Sequence, residues 1–283
     1  MANPIPHDQL TYYQAITYAI NDIAQHGYDS ADRVAYWTEI IRRAALRSLK
    51  PEAQVEQDIK DVLTAAFVKQ VDRGAVLRNN PGVQAFTLER IRPELHAELS
   101  RRIAASVDLT KLNRPVAIEK TLRRFQGWAT SLPPGKPADV QRQKTKLEVK
   151  KALSQLPFEE RRVIIDQNAK LVSAINTTVA VNGGAVGAEW MSHLAQRGYN
   201  GRPAHNARHG KFFLVRNSWA HVAGLVKPNK NGYTDDIEQP AQLPFCKCFY
   251  RFVYSLRTVP PECLTQKGRD ALAEARRKLA NAS

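Results

Sequence analysis

Only three cysteines and two methionines occur in 283 residues. The cysteines, Cys246, Cys248 and Cys263, are odd in number and crowded toward one end. A disulfide-stapled secreted domain has an even, spread set instead, so a reducing compartment fits this chain best. Long apolar runs are also missing. None approaches the ~18 to 20 residues that span a bilayer, and no membrane partner is expected. The stretch from Met1 to His7 carries neither a basic nor an apolar leader region, so export is not expected. Acidic residues are scarce, 27 against 42 lysines and arginines, which leaves a net charge of +15. That excess favours a polyanionic partner such as nucleic acid or an acidic protein surface. Catalytic fingerprints are absent as well: there is no nucleophile elbow, P-loop, dinucleotide fingerprint, His-Glu-x-x-His pattern or calcium loop. Gly183-Gly184 with Gly187 looks like a phosphate cradle. It follows a helical pattern, whereas nucleotide loops follow a strand and open a helix. No enzyme is expected.

What the chain does contain is ordinary globular material, 43% hydrophobic and 24% charged, enough to build a core. The length suits two modest units. Apolar residues recur at threes and fours from Asp8 to His26, where Gly27 closes a helix, and again from Val34 to Ala45. A third helix is expected from Pro51 to about Arg78, with Asn79-Asn80-Pro81-Gly82 as a turn. Pro93 should kink or start a fourth, and a further helix should lie between Asp108 and Trp128. Three prolines and a glycine from Ser131 to Pro137 form the strongest breaker. A long helix then runs from Pro157 to Val181 and ends at Asn182-Gly183-Gly184. Beyond it the period shifts to that of strands at Ala185–Leu194, Lys211–Arg216 and Phe245–Leu256. The last of these has aromatics on both faces and is expected to be central. A terminal helix should start near Thr265. The expected fold is α+β and predominantly α: an N-terminal helical region (1–132), a loop, basic segment and long connecting helix (133–182), and a compact domain (183–283) with a small, mainly antiparallel sheet and a C-terminal helix.

Two basic groups are candidate nucleic-acid contacts: Arg142, Lys144, Lys146, Lys150 and Lys151 after the breaker, and Arg276, Arg277 and Lys278 near the C-terminus. Lysines and arginines without interleaved aromatics suit phosphates better than bases, so such contact would be independent of sequence. The alternative is a solvated helix face.

Cys246, Cys248 and His205, with His209 nearby, offer the thiolate and imidazole that zinc prefers. A Cys-x-Cys pair in an extended strand puts both thiols on one face, but ligation there needs a bulge or local bend. The alternative is no cofactor, with the thiols packed under the sheet. His205 and His209 could also serve as acid and base, yet no carboxylate pair or nucleophile sits at a recognisable spacing beside them. Arg202, His205, Arg208 and Lys211 around Pro203 and Gly210 read more simply as a tight turn whose polar side chains bond the backbone.

The order of these motifs carries a resemblance. Trp190, then Arg202-Pro203-x-His205, then Arg208-His209-Gly210-Lys211, and finally Pro244-x-Cys246-Lys247-Cys248 resembles the C-terminal signature of the Mu F-like minor head, or head-morphogenesis, proteins of tailed bacteriophages. Leu243 stands where that family closes with a histidine, and His209 where it carries an aspartate. The resemblance spans about Lys170 to Leu256; the region before it is similar only in being long, polar and helical. It implies a virion component, made in the host cytoplasm and placed in the head or neck at or near the portal vertex. Such a protein acts in head morphogenesis, DNA packaging or retention, or head-to-tail joining. Its partners would be the portal, other head and neck proteins, and packaged double-stranded DNA through non-specific contacts. Two other readings stay open: an adaptor ring under the portal, which would be a homo-oligomer, and a sequence-independent DNA-binding protein with no virion role.

Overall fold

The computed structural model describes residues 6–135, 150, 156–193 and 201–281. The helices are α1 (Tyr12–His26), α2 (Ala31–Ser48), α3 (Glu52–Phe67), α4 (Ala75–Asn79), α5 (Ala85–Ser131), α6 (Leu156–Asn182), the single turns α7 (Pro203–Asn206) and α8 (Trp219–Val222), and α9 (Gln266–Asn281). The strands β1 (Gly187–Met191), β2 (Phe212–Leu214) and β3 (Phe249–Val253) form one antiparallel sheet. The fold is α+β and predominantly α. No helix among the described residues is long and apolar enough to cross a membrane.

The chain divides into two compact units, each built from two separate stretches: Met1–Ile59 with Ala105–Val163, and Lys60–Ala104 with Ile164–Ser283.

In the first unit α1 begins with a capping box. Thr11 Oγ1 accepts from the backbone N–H of Gln14 at 3.3 Å, and Gln14 Oε1 accepts from the N–H of Thr11 at 2.9 Å. Two of the helix's orphan donors are thus satisfied reciprocally. The helix ends at Gly27, whose φ of 71° and ψ of −167° lie in a region open essentially to glycine alone. A Cβ there would meet the carbonyl oxygens of Pro133 and Gly135 at 2.2 and 2.5 Å, because Gly27 bridges to Pro134. Ser30 caps α2 by accepting from Arg33 N–H at 3.2 Å. Asp22 of α1 then accepts from the Trp37 indole of α2 at 2.6 Å and pairs with Arg33 at 3.3 Å. The core beneath joins Ile16, Ile20 and Ile23 of α1, Trp37 and Ile41 of α2, and Leu122 and Phe125 of α5.

The second unit contains the sheet, in the order β2-β1-β3. β1 is therefore central, a correction to the expectation that the strand after the cysteines would be. Tyr250 of β3 is buried but Phe249 is half exposed, so aromatics on both of its faces do not mean burial of both. β3 is also shorter than Phe245–Leu256. Asn80, fully buried, ties three elements together. Its Nδ2 donates to Val76 O at 2.9 Å and to Asn176 Oδ1 of α6 at 2.7 Å, while its Oδ1 accepts from the Tyr254 hydroxyl beyond β3 at 2.8 Å.

Two helix expectations are corrected. The third helix stops at Phe67, passes into a π-helical turn (Val68–Asp72), and breaks at Gly74, which is left-handed, before α4 starts. Pro93 neither starts nor interrupts α5, which is continuous from Ala85 to Ser131 and includes the Asp108–Trp128 segment. A proline inside a helix costs about 3 kcal/mol. Leu88, Ile91, Leu95 and Leu99 are all buried around it, and each buried side chain of this size contributes about 1.5–3 kcal/mol, so packing outweighs the lost bond. The stop expected for α1 at Gly27, the ends expected for α6 and the start expected for α9 agree with the structure, whereas α1 begins at Tyr12 instead of Asp8 because Thr11 caps it; Thr265 Oγ1 caps α9 by accepting from Gly268 N–H at 3.0 Å.

Candidate metal centre

The centre is assembled from three chain segments around β1. Ala188 and Trp190 point into a core that also holds Phe213, Cys246, Cys248 and Tyr250. The Trp190 indole donates to Ser192 Oγ at 3.1 Å, and the Ser192 hydroxyl donates to the carbonyl of His205 at 2.6 Å. These two bonds fix α7 to the end of β1. Pro203 suits the first helical position because its missing N–H would be unpaired there in any case. His205 is thereby carried inward, edge-on to Trp190 with ring centroids 5.2 Å apart.

The segment Cys246–Cys248 enters β3 from a turn closed by the bond from Cys246 N–H to Leu243 O, 3.1 Å. Phe245 in that turn is left-handed, with φ of 59°, a conformation that costs a non-glycine residue energy unless the surroundings impose it. The buried Asp166 carboxylate of α6 accepts from the Phe245 N–H at 2.6 Å and holds it there. This supplies the local bend that a Cys-x-Cys pair needs. Past the bend the chain alternates, with Cys246 and Cys248 buried and Lys247 exposed between them.

Both sulfurs face one nitrogen. His205 Nδ1 lies 3.4 Å from Cys246 Sγ and 3.6 Å from Cys248 Sγ. On the ring's other side Nε2 is 2.9 Å from Glu238 Oε1, which also accepts from Arg208 Nη1 at 2.8 Å. Arg208 first, then His205, hold the Glu238 carboxyl below the usual carboxylate range against its desolvation. An ionised carboxylate only accepts, so Nε2 carries a hydrogen, and the tautomer with that hydrogen alone has its lone pair at Nδ1, directed at the sulfurs. The Arg208 guanidinium lies 5.1 Å over the Trp190 ring as well. The hydrogen bond from Cys248 depresses Cys246, with help from the backbone N–H groups of Cys248 and Ala241, while the same bond and burial push Cys248 up.

His205, Cys246 and Cys248 are thus brought together. Among the described residues no fourth His, Cys, Asp or Glu joins them. His209 is not in the set; its Nδ1 accepts from the Ser192 N–H at 3.1 Å, which gives it a structural place. Of the turn residues, Arg202 bonds backbone as expected, donating to Pro244 O at 2.9 Å. His205 and Arg208 instead direct their side chains to Glu238, a correction to the simple turn. The cause is that Glu238 satisfies the buried His205 Nε2, which would otherwise have no partner there, and the half-buried Arg208 joins the same carboxylate. Sequence reading missed Glu238, Ser192 and Asp166. Each is separated from its partner by between 13 and 79 positions and has no spacing that marks it.

Of the candidate nucleic-acid contacts, Arg142, Lys144, Lys146 and Lys151 lie outside the described residues. Lys150 Nζ sits 4.6 Å from the Tyr13 ring centroid. Arg276, Arg277 and Lys278 are exposed on α9, where Lys278 pairs with Glu274 at 2.7 Å. Set against protein-family models, curated proteins and solved structures, the chain finds no match among any of them.

Proposed function

We propose that this chain is a structural component of a tailed-phage virion, located at or near the portal vertex and acting in head morphogenesis, DNA packaging or retention, or head-to-tail joining. One observation carries the reading. The residues of the ordered signature are far apart in sequence yet meet in one small core: Trp190 packs on His205, Arg208 lies over Trp190, and His205 faces Cys246 and Cys248. A signature that folds into one unit behaves as the mark of a domain, and fold-level likeness alone assigns no chemistry. The role is read as assembly, with packaged DNA as the polyanion that a +15 chain meets.

The test is the composition of purified particles from the phage that encodes the chain. The chain should be present in few copies relative to the major shell protein, and a nonsense mutation should yield heads that fail to join tails or retain DNA. Infectious, chain-free particles would sink the proposal. A closed ring of copies on the portal would select the adaptor form of the same reading.

A further inference from the structure

The set formed by His205, Cys246 and Cys248 has the dimensions of a coordination sphere. Zinc binds thiolate sulfur at about 2.3 Å and imidazole nitrogen at about 2.0–2.1 Å. At tetrahedral angles those bonds put sulfur and nitrogen about 3.5 Å apart. The two separations here are 3.4 and 3.6 Å, and all three ligand atoms lie within 4.8 Å of one another. We infer that this chain binds one zinc ion through His205 Nδ1, Cys246 Sγ and Cys248 Sγ, with a water molecule in the fourth position.

Four further features of the molecule agree with this. His205 donates its other ring nitrogen to Glu238, the carboxylate–histidine arrangement that orients a metal-bound imidazole and raises its basicity. The left-handed Phe245, held by Asp166, supplies the bend that lets both sulfurs of the Cys-x-Cys pair face one point. The charges balance: two thiols give up their protons to solvent, and two thiolates with a neutral imidazole offset the dication. A cleft of about 590 Å³ has Cys246 and Cys248 in its walls, so an ion has a way in. The fourth position falls to water because no fourth His, Cys, Asp or Glu among the described residues joins the set. Buried imidazole and thiol groups left to one another make only weak hydrogen bonds; an ion would convert that contact into a clamp between α7 and the start of β3.

The inference does not rest on the assembly role, and either can fail alone. The test uses the full chain, stripped with chelator and reloaded with zinc alone or cobalt(II) alone. One equivalent of zinc should bind, thermal unfolding should shift upward, and the cobalt form should show thiolate-to-metal charge-transfer absorption with tetrahedral visible bands. C248S should lose roughly half of the charge-transfer band, since one of two thiolates remains, and H205A should weaken zinc binding by at least tenfold. C263A, altering the buried cysteine of a different core cluster, should leave the stoichiometry at one. If a variant fails to fold, the cobalt spectrum of the unaltered chain still decides. Folded chain that binds less than a tenth of an equivalent of zinc and shows no charge-transfer band overturns the inference.

Discussion

Asn80 and Asn79 are adjacent and chemically identical, and the sequence places both in one turn. Asn79 is exposed, whereas Asn80 is buried and bonds to Val76, Asn176 and Tyr254. Removing one partner of a buried hydrogen bond costs about 1–3 kcal/mol for each group left unpaired, because its desolvation is no longer repaid. Asn80→Ala should therefore lower stability by about 2–4 kcal/mol, and Asn79→Ala by less than about 0.5 kcal/mol. Chemical denaturation of the two variants checks this; equal losses would mean that the amide cluster contributes nothing. The same distinction explains how much of the candidate metal centre could be read in advance. His205, Cys246 and Cys248 are legible by residue type, since few side chains bind soft metals. Glu238 and Asp166 are ordinary carboxylates whose importance comes from facing His205 Nε2 and Phe245 N–H. That is a property of the fold, and no local pattern encodes it.

At the scale of elements, helix ends that use a cap residue are the best-read features. Gly27 and Thr265 each act through a local backbone bond or torsion angle, so a window of a few residues contains the cause. The continuity of α5 through Pro93 and the central place of β1 depend instead on what packs around them. Gly27 belongs to both classes. Its role as a stop is local, but the approach of Pro133 and Gly135 is tertiary. Gly27→Ala combines a forbidden torsion with two contacts against rigid carbonyl oxygens. A strained backbone of this kind costs about 1–3 kcal/mol before any clash is counted. The variant should melt several degrees below the parent, with protection of the α1–α2 amides lost first in hydrogen exchange. An unchanged melting temperature would show that the crossing with Pro134 is not formed in solution.

For the whole molecule the governing quantity is charge. A net +15 produces a field that attracts any polyanion, yet field alone does not say where DNA would lie. Ion pairs leave that excess unchanged but engage particular cations: Arg42 bonds Glu119, Arg92 bonds Asp72 and Glu89, and Arg216 pairs with Asp235 and Asp236. Lys278 on α9 is likewise paired with Glu274. Arg276 and Arg277 are exposed on the same helix, which makes them the better candidates there for phosphate contact. Each phosphate neutralised by the protein releases condensed counterions, so the logarithm of affinity falls linearly with the logarithm of salt concentration, by about 0.9 per contact. If α9 touches DNA, Arg276→Ala with Arg277→Ala should reduce that slope by about 2 and weaken binding equally on unrelated duplexes. Lys278→Ala should change the slope less, because its ammonium is already engaged by Glu274 and is the weaker candidate for phosphate contact. Duplex DNA titrated by fluorescence anisotropy at several salt concentrations separates the cases. A double variant with the parent's slope would move the contact away from α9, and an affinity indifferent to salt would remove the electrostatic basis for DNA contact anywhere on the chain.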